Sequence, residues 1–298
     1  PVVNPITLFG DAFPSPAGVT QFLNSAGGTG GAFAVVTPPS AATTGQRLVD
    51  TLLGRGASAS LVLLDAAGAN DSSSAVTLSQ AQGIAFSGNA SELFPSYVDS
   101  TTLVGQALCA RLLTGVAVAF AYQDAKLAGR TVVFRTELEE LASIRGKLVA
   151  GRGLTAFKNL VVMPLIFQSD VYDENRTAGL PWGMAVADGK TGLYVDEGGF
   201  VSIDANGVVQ STGLTPTIVI DGRSVTAVGF SIYRHSGSVG PRQSTAIVGA
   251  TIHVINGDFR YDAVSGAIIT AVKEDAPPVP VTPGLVWSYP NPFNGETL

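Results

Sequence analysis

The stretch Leu112–Leu127, LLTGVAVAFAYQDAKL, holds the arrangement with the clearest chemical consequence. Val116–Ala121 is a short apolar run of the kind that forms a buried strand. Gln123–Leu127, just beyond it, is built of helix formers. A tight strand-turn-helix corner lifts one side chain above the strand end, where a nucleophile can be held. Here the corner reads Phe120-Ala121-Tyr122-Gln123-Asp124-Ala125, without serine, cysteine or threonine. Tyr122 offers only a phenol, which cannot supply the hydroxyl of a Ser-His pair. The sequence therefore predicts an active-site corner that lacks its nucleophile.

Other chemistry-bearing residues are few. Of the two histidines, His235 lies in a Gly/Ser-rich loop and His253 in a predicted strand. No His/Cys cluster has ligand spacing, so neither a metal nor a cofactor is expected. Asp170, Asp173 and Glu174 read as a solvated acidic loop, with a cation such as Ca²⁺ as the alternative. Ser91 comes after the Gly88-Asn89 turn; with no base assigned to it, it reads as a helix N-cap rather than a relocated nucleophile. Gly27–Gly31 is glycine-rich but has no lysine to hold phosphate, and reads as a loop. Cys109, the single cysteine, is expected to be a buried free thiol in a helix.

The elements that must position the corner are legible upstream of it. Apolar runs at Ile6–Phe9, Ala32–Thr37, Ser60–Leu64, Gly83–Ser87 and Val116–Ala121 predict strands. Helices are expected at Val19–Asn24, Gly45–Leu53, Ala75–Gln82 and Leu103–Leu113. Strands and helices alternating at this rhythm predict βαβ units, a mainly parallel sheet and helices on both faces. The fold class expected is α/β, a three-layer sandwich with a mainly parallel central sheet and a β-rich C-terminal half. In that half, Glu137–Leu148 reads as a helix and Leu160–Phe167 as a strand. Gly192–Val195 and Phe200–Ile203 are expected to frame a hairpin, and Ala246–Ile255 to form one strand. Shorter strands are predicted at Gly207–Gln210, Thr217–Ile220 and Ser224–Ser231.

The chain has 298 residues, enough for one large α/β domain with an appendage. Charged residues make up only 13%, and the 17 basic ones are scattered under a net charge of −6, so a nucleic-acid footprint is absent. That bland surface suits close packing against other subunits. No run reaches the ~18 apolar residues of a membrane span. Opening on PVVNP, the chain reads as a mature form whose leader has been removed.

Taken together, these pieces resemble the cyanophycinase-like branch of the serine peptidases related to dipeptidase E, over roughly residues 5–256. Gly83-Ile84-Ala85-Phe86-Ser87-Gly88-Asn89 is similar to the family's strand running into a Gly-Gly-Asp/Asn-Gln turn. Val116–Ala125 stands where the family has apolar residues and then Gly-Thr-Ser-Ala-Gly-Ala. Gly153-Leu154 and Leu160–Phe167 resemble the segment ending Asp-Gln-His-Phe, and Asp188–Leu193 resembles Asp-Glu-x-Thr-Ala-Leu. Order and spacing carry the likeness, which implies a fold similar to class I glutamine amidotransferases. It also implies that Tyr122 occupies the serine position, Leu165 the histidine position, and Asp124 that of an oxyanion-hole glycine. These three degenerate positions point to a pseudoenzyme.

The tail shows a second resemblance. After a Pro-rich linker at 275–284, the segment 285–298 contains Tyr289-Pro290-Asn291-Pro292-Phe293-Asn294, similar to the opening motif of type IX secretion sorting domains. That implies a location outside the cell or on its surface, with residues 1–274 as the folded domain. Trp287, Tyr289 and Phe293 are the candidates for assembly contacts, making a homo-oligomer or polymer through the tail the expected partnership. Asn70-Asp71-Ser72, Asn89-Ala90-Ser91, Asn175-Arg176-Thr177 and Asp99-Ser100-Thr101 match patterns for glycan attachment. These features together predict a secreted, non-catalytic structural protein forming a filament or layer. The alternatives are a serine-type peptidase or amidohydrolase with a relocated nucleophile, and a peptide- or glycan-binding module.

Overall fold

The computed structural model describes residues 4–89, 101–135, 148–154, 157, 159–164, 179–187, 189–233, 242–257 and 259–270. Five parallel strands form its centre: β1 (Ile6–Phe9), β2 (Ala32–Thr37), β3 (Ser58–Leu63), β4 (Gly83–Phe86) and β5 (Ala117–Ala121). They stand in the order β1-β5-β4-β2-β3. Four antiparallel strands extend this sheet beyond β1: β10 (Gly199–Ile203), β11 (Val208–Gly213), β16 (Phe259–Asp262) and β17 (Ile268–Thr270).

Both faces of β1, β2, β4 and β5 are buried, which is why they read as continuous apolar runs, whereas β3 at the sheet edge exposes Ser58, Ser60 and Leu63. Ile6, Leu8, Val36, Ile84, Phe86, Val118 and Phe120 face one core, which they share with α3 (Ser72–Gln80) and α4 (Leu103–Leu113). Phe86 and Phe120 stack there with centroids 5.1 Å apart. Phe9, Phe33, Val35, Ala85, Ala117, Ala119 and Ala121 face the other, against α1 (Pro16–Ser25) and α2 (Ala42–Leu53). The small residues on that face let α1 approach closely. A Cβ at Gly83 would meet the Phe33 ring at 2.6 Å and Phe22 at 2.9 Å. Local chemistry starts the helices: Ser15, Asp71 and Thr102 cap α1, α3 and α4, each accepting a backbone N–H of the first turn.

A second sheet of four strands has the order β15-β12-β9-β8, from β8 (Leu160–Pro164), β9 (Thr191–Val195), β12 (Thr217–Asp221) and β15 (Thr251–Ile255). Two hairpins complete the described strands, β6 (Thr131–Arg135) with β7 (Leu148–Arg152), and β13 (Ala227–Tyr233) with β14 (Arg242–Val248). Arg223 pins the second sheet to the first. Its Nη1 donates to Asp221 Oδ1 at 3.0 Å and to the Tyr261 hydroxyl at 2.7 Å, and its Nη2 donates to the Ala263 carbonyl. The expected α/β class, with a mostly parallel central sheet, helices and a β-rich C-terminal half, is the one found.

Four local expectations are corrected. The hairpin predicted from Gly192–Val195 and Phe200–Ile203 does not form: β9 pairs with β8 and β12, while β10 pairs with β1 and β11. The strand predicted over Ala246–Ile255 breaks at Gly249, whose φ of 88° turns the chain from β14 into a different sheet. Leu148, expected to end a helix, opens β7, and residues 137–147 lie outside the described part. A helix the sequence did not announce, α5 (Gly179–Ala187), packs Leu180 and Met184 against Val133, Val161 and Tyr194. Its GLPWGMAVA is apolar almost all round, so it carries no 3.6-residue period. Among the described residues, no helix is long and apolar enough to cross a membrane.

Candidate active site

Parallel strands carry their ligand sites at their C-terminal ends, where the loops converge. Here β2, β4 and β5 end together: Val36 is in register with Phe86, and Phe86 with Phe120. One residue past the end of β5, Tyr122 adopts φ of 56°. This left-handed backbone costs about 1–2 kcal/mol for a residue with a Cβ. It makes the sharp corner expected from the sequence, and Tyr122 is the residue at its apex. The ring is half-buried rather than sealed into the core.

Beyond the corner, the chain departs from the expected α-helix. Tyr122–Ala128 is a 3-10 turn with Asp124–Ala128 all buried. It is enclosed by β1, β6 and β8, so it has no exposed side for an amphipathic helix to present.

The β4 end supplies the other half of the site. Ser87, Gly88 and Asn89 come next after the strand, with φ of 91° at Gly88 and 64° at Asn89. Gly88 has no room for a side chain, since a Cβ there would lie 2.5 Å from both the Ala41 Cβ and the Thr37 Oγ1. The turn is thus pressed onto the connection leaving β2. Its Asn89 N–H donates to Asp124 Oδ2 at 3.0 Å, across 35 residues of sequence. Asp124 itself is completely buried. Beside the turn, the Ser87 hydroxyl is buried with no hydrogen-bond partner among the described residues.

The structure therefore brings together Tyr122 and Asp124 of the three expected positions. Leu165, the third, lies outside the described residues, as do Ser91, His235, Asp170, Asp173, Glu174, Trp287, Tyr289 and Phe293. His253 sits on β15 with its ring 5.6 Å from that of Tyr261, and Tyr261 belongs to β16, four strands from β5. Cys109, expected to be buried, is exposed: α4 turns Val104, Gly105 and Leu108 inward and Cys109 off that stripe. Among the described residues, no group of three His, Cys, Asp or Glu side chains could hold a metal ion.

Sequence reasoning does not single out Ser87 or the Asn89 N–H. The Gly88-Asn89 pair directly after a strand is the signal present, but it does not say that the preceding hydroxyl lacks a partner.

The site combines a corner that projects the Tyr122 side chain, a turn whose Asn89 N–H is engaged by the Asp124 carboxylate, and a buried hydroxyl beside that turn.

No family model matches the sequence, and no match to a curated protein emerges. Among solved structures, the fold is similar to that of a peptidase from an acI-B1 Actinobacterium, with a TM-score of 0.51 and 14% identity over 72% of this chain and 90% of that one. A putative peptidase E protein from Listeria monocytogenes EGD-e gives a TM-score of 0.47 and 11% identity, covering 71% of this chain and 99% of that one. At such identities the likeness to the actinobacterial peptidase concerns the fold alone. It also corrects the expectation of a non-enzyme. That expectation took the fold to be kept as structure alone, whereas a solved structure that shares it is a peptidase.

Proposed function

We propose that this chain is a hydrolase of peptide or amide bonds whose serine nucleophile is displaced from the corner position. The observation that carries the reading is the left-handed backbone of Tyr122 at the end of β5. A strained non-glycine corner persists only where the surroundings hold it, and such strain clusters at active sites. The fold shared with a peptidase supports the same reading. Ser87, directly before the Gly88-Asn89 turn, is the serine to test first among the described residues, on its position alone. In the reaction the serine oxygen attacks the amide carbonyl as its proton passes to a base, a role that no described residue fills at Ser87. The amine leaves with a proton, and water then releases the acid from the acyl-enzyme.

A fluorophosphonate probe followed by peptide mapping tests this. Labelling of a single serine, with loss of amide turnover, is expected, and Ser87→Ala should abolish both. Labelling at Ser91 instead would leave the displaced-nucleophile reading standing but remove Ser87 from it. A folded protein that neither labels nor turns over any amide substrate would falsify the reading.

The tail supports a separate proposal, resting on the sequence alone: Tyr289–Asn294 directs the chain to the cell exterior, where the tail joins subunits. Fractionation of the native host, and sedimentation of the chain with and without residues 284–298, test its two parts. Protein confined to the host's interior sinks the first, and unchanged sedimentation sinks the second.

A further inference from the structure

The second sheet carries an apolar face that is covered at one end and bare at the other. In register across it, Tyr194, Ile218 and Val254 stand abreast on β9, β12 and β15, and Gly192, Ile220 and Ile252 do the same. α5 lies over the β9 side, where Tyr194 is 4% exposed and Ile220 7%. On β15 the same rows end in Ile252 at 64% and Val254 at 63%. β15 is also the sheet's open edge, paired with β12 alone among the described residues. Its sequence, Thr251-Ile252-His253-Val254-Ile255, has none of the lysines, prolines or inward charges that guard an edge. Such an edge is a template for another strand.

The tail has the matching pattern. Leu285, Trp287 and Tyr289 alternate with Val286 and Ser288, a spacing that puts the first three on one side of a strand. Pro290 has no N–H to donate and would close the pairing there. No charged residue falls between Leu285 and Asn294, so insertion beside Ile252 and Val254 would bury none. The chain reaches Thr270 on β17, which pairs with β16, and β16 lies against β15. From there residues 271–284, at ~3.1 Å each when extended, span about 40 Å. A proline-rich spacer of that length overshoots the subunit's own β15, only two strands away, and suits a neighbour's. We propose that the free edge of β15 is the docking surface for the tail of a second copy of this chain, with Leu285–Tyr289 added as a strand and Trp287 laid against Ile252 and Val254. The inference rests on the reading that the tail joins subunits, and it names the surface that receives the tail.

The experiment uses two full-length variants in analytical ultracentrifugation. Trp287→Ala removes the anchor of the tail and keeps β15 intact, whereas Val254→Asp puts a charge on the bare face and keeps the tail intact. Each alone should sediment as a monomer under conditions where the parent assembles. Their equimolar mixture should form a 1:1 dimer and nothing larger, because one chain can only give a tail and the other only receive it. If circular dichroism shows Val254→Asp to be unfolded, Ile252→Thr, still β-branched, takes its place and should weaken assembly about tenfold. A mixture that stays monomeric overturns the proposal. Assembly lost on removing residues 284–298 yet unchanged in the folded β15 variant leaves the tail's role standing and overturns its acceptor. A parent chain that stays monomeric overturns both.

Discussion

The carboxylate of Asp124 and the backbone N–H of Asn89 are 3.0 Å apart, and their hydrogen bond ties the corner after β5 to the turn after β4. The two segments are 35 residues apart in sequence and lie side by side because their strands are paired in register. Asp124 is fully buried, so little water can replace this bond when it is lost.

Removing the carboxylate should therefore destabilise the fold. Asp124→Ala is expected to cost about 1–3 kcal/mol, from a hydrogen bond lost and a donor left without its acceptor. Asp124→Asn keeps an acceptor and should cost less than half as much. Urea unfolding of the three proteins checks this, and equal midpoints for Ala and Asn would show that the bond to Asn89 contributes nothing.

Tyr122 should invert the usual order of small residues. In most positions glycine is less stable than alanine, because it loses more backbone freedom on folding. At φ of 56° alanine keeps the left-handed strain and glycine does not. Tyr122→Gly should thus be more stable than Tyr122→Ala by about 1 kcal/mol. Thermal unfolding of the pair is decisive: alanine above glycine would mean that the corner is not held left-handed in solution.

Ser87 separates structure from chemistry. Its hydroxyl is buried without a partner among the described residues, so Ser87→Ala should leave stability unchanged or raise it by about 1 kcal/mol. Under the proposed function the same variant loses probe labelling. Marked destabilisation by Ser87→Ala would reveal a hidden partner for the hydroxyl and make the loss of labelling uninformative.

The Arg223 cluster predicts an acid-sensitive junction between the sheets. Burial pushes the Asp221 carboxyl upward, but the Arg223 backbone N–H, the Tyr261 hydroxyl and the Arg223 guanidinium outweigh it and hold it below the usual carboxylate range. Burial, with the bond to Asp221, raises the Tyr261 phenol to about 12. A carboxyl depressed in the folded state contributes stability that is fully present above its unfolded pKa of about 3.9. That contribution is lost as pH falls from there through the lower folded value. Arg223→Met should cost about 2–3 kcal/mol at neutral pH. It should also flatten the decline in stability below about pH 4. A parent and variant with parallel acid limbs would exclude the cluster as the cause.

Local sequence carried much of the first half of the fold. Residues buried on both faces of a sheet are apolar almost without interruption, which made β1, β2, β4 and β5 visible as separate strands, and the Leu61-Val62-Leu63 run marked the edge strand β3. Leu103–Leu113 matches α4 end to end, since Thr102 caps it and its inward residues repeat at helical spacing. The corner at Tyr122 was legible for the same reason: an apolar strand that stops abruptly before a different composition has to turn there.

The sequence left open which strands and side chains meet. Thr191–Val195 and Gly199–Ile203 look like the two arms of a hairpin, because closeness in sequence is the only cue to pairing that a short strand offers. Each finds its partner elsewhere, β10 beside β1 and β9 beside β8, where long-range burial outweighs the short connection. The same holds at the site. Asp124 could be placed on the corner from its sequence, but its bond to Asn89 and the isolation of the Ser87 hydroxyl exist only once β4 and β5 lie in register. Strand formation is written in local hydrophobic pattern, whereas a hydrogen bond between distant residues depends on the packing that decides which strand ends come together.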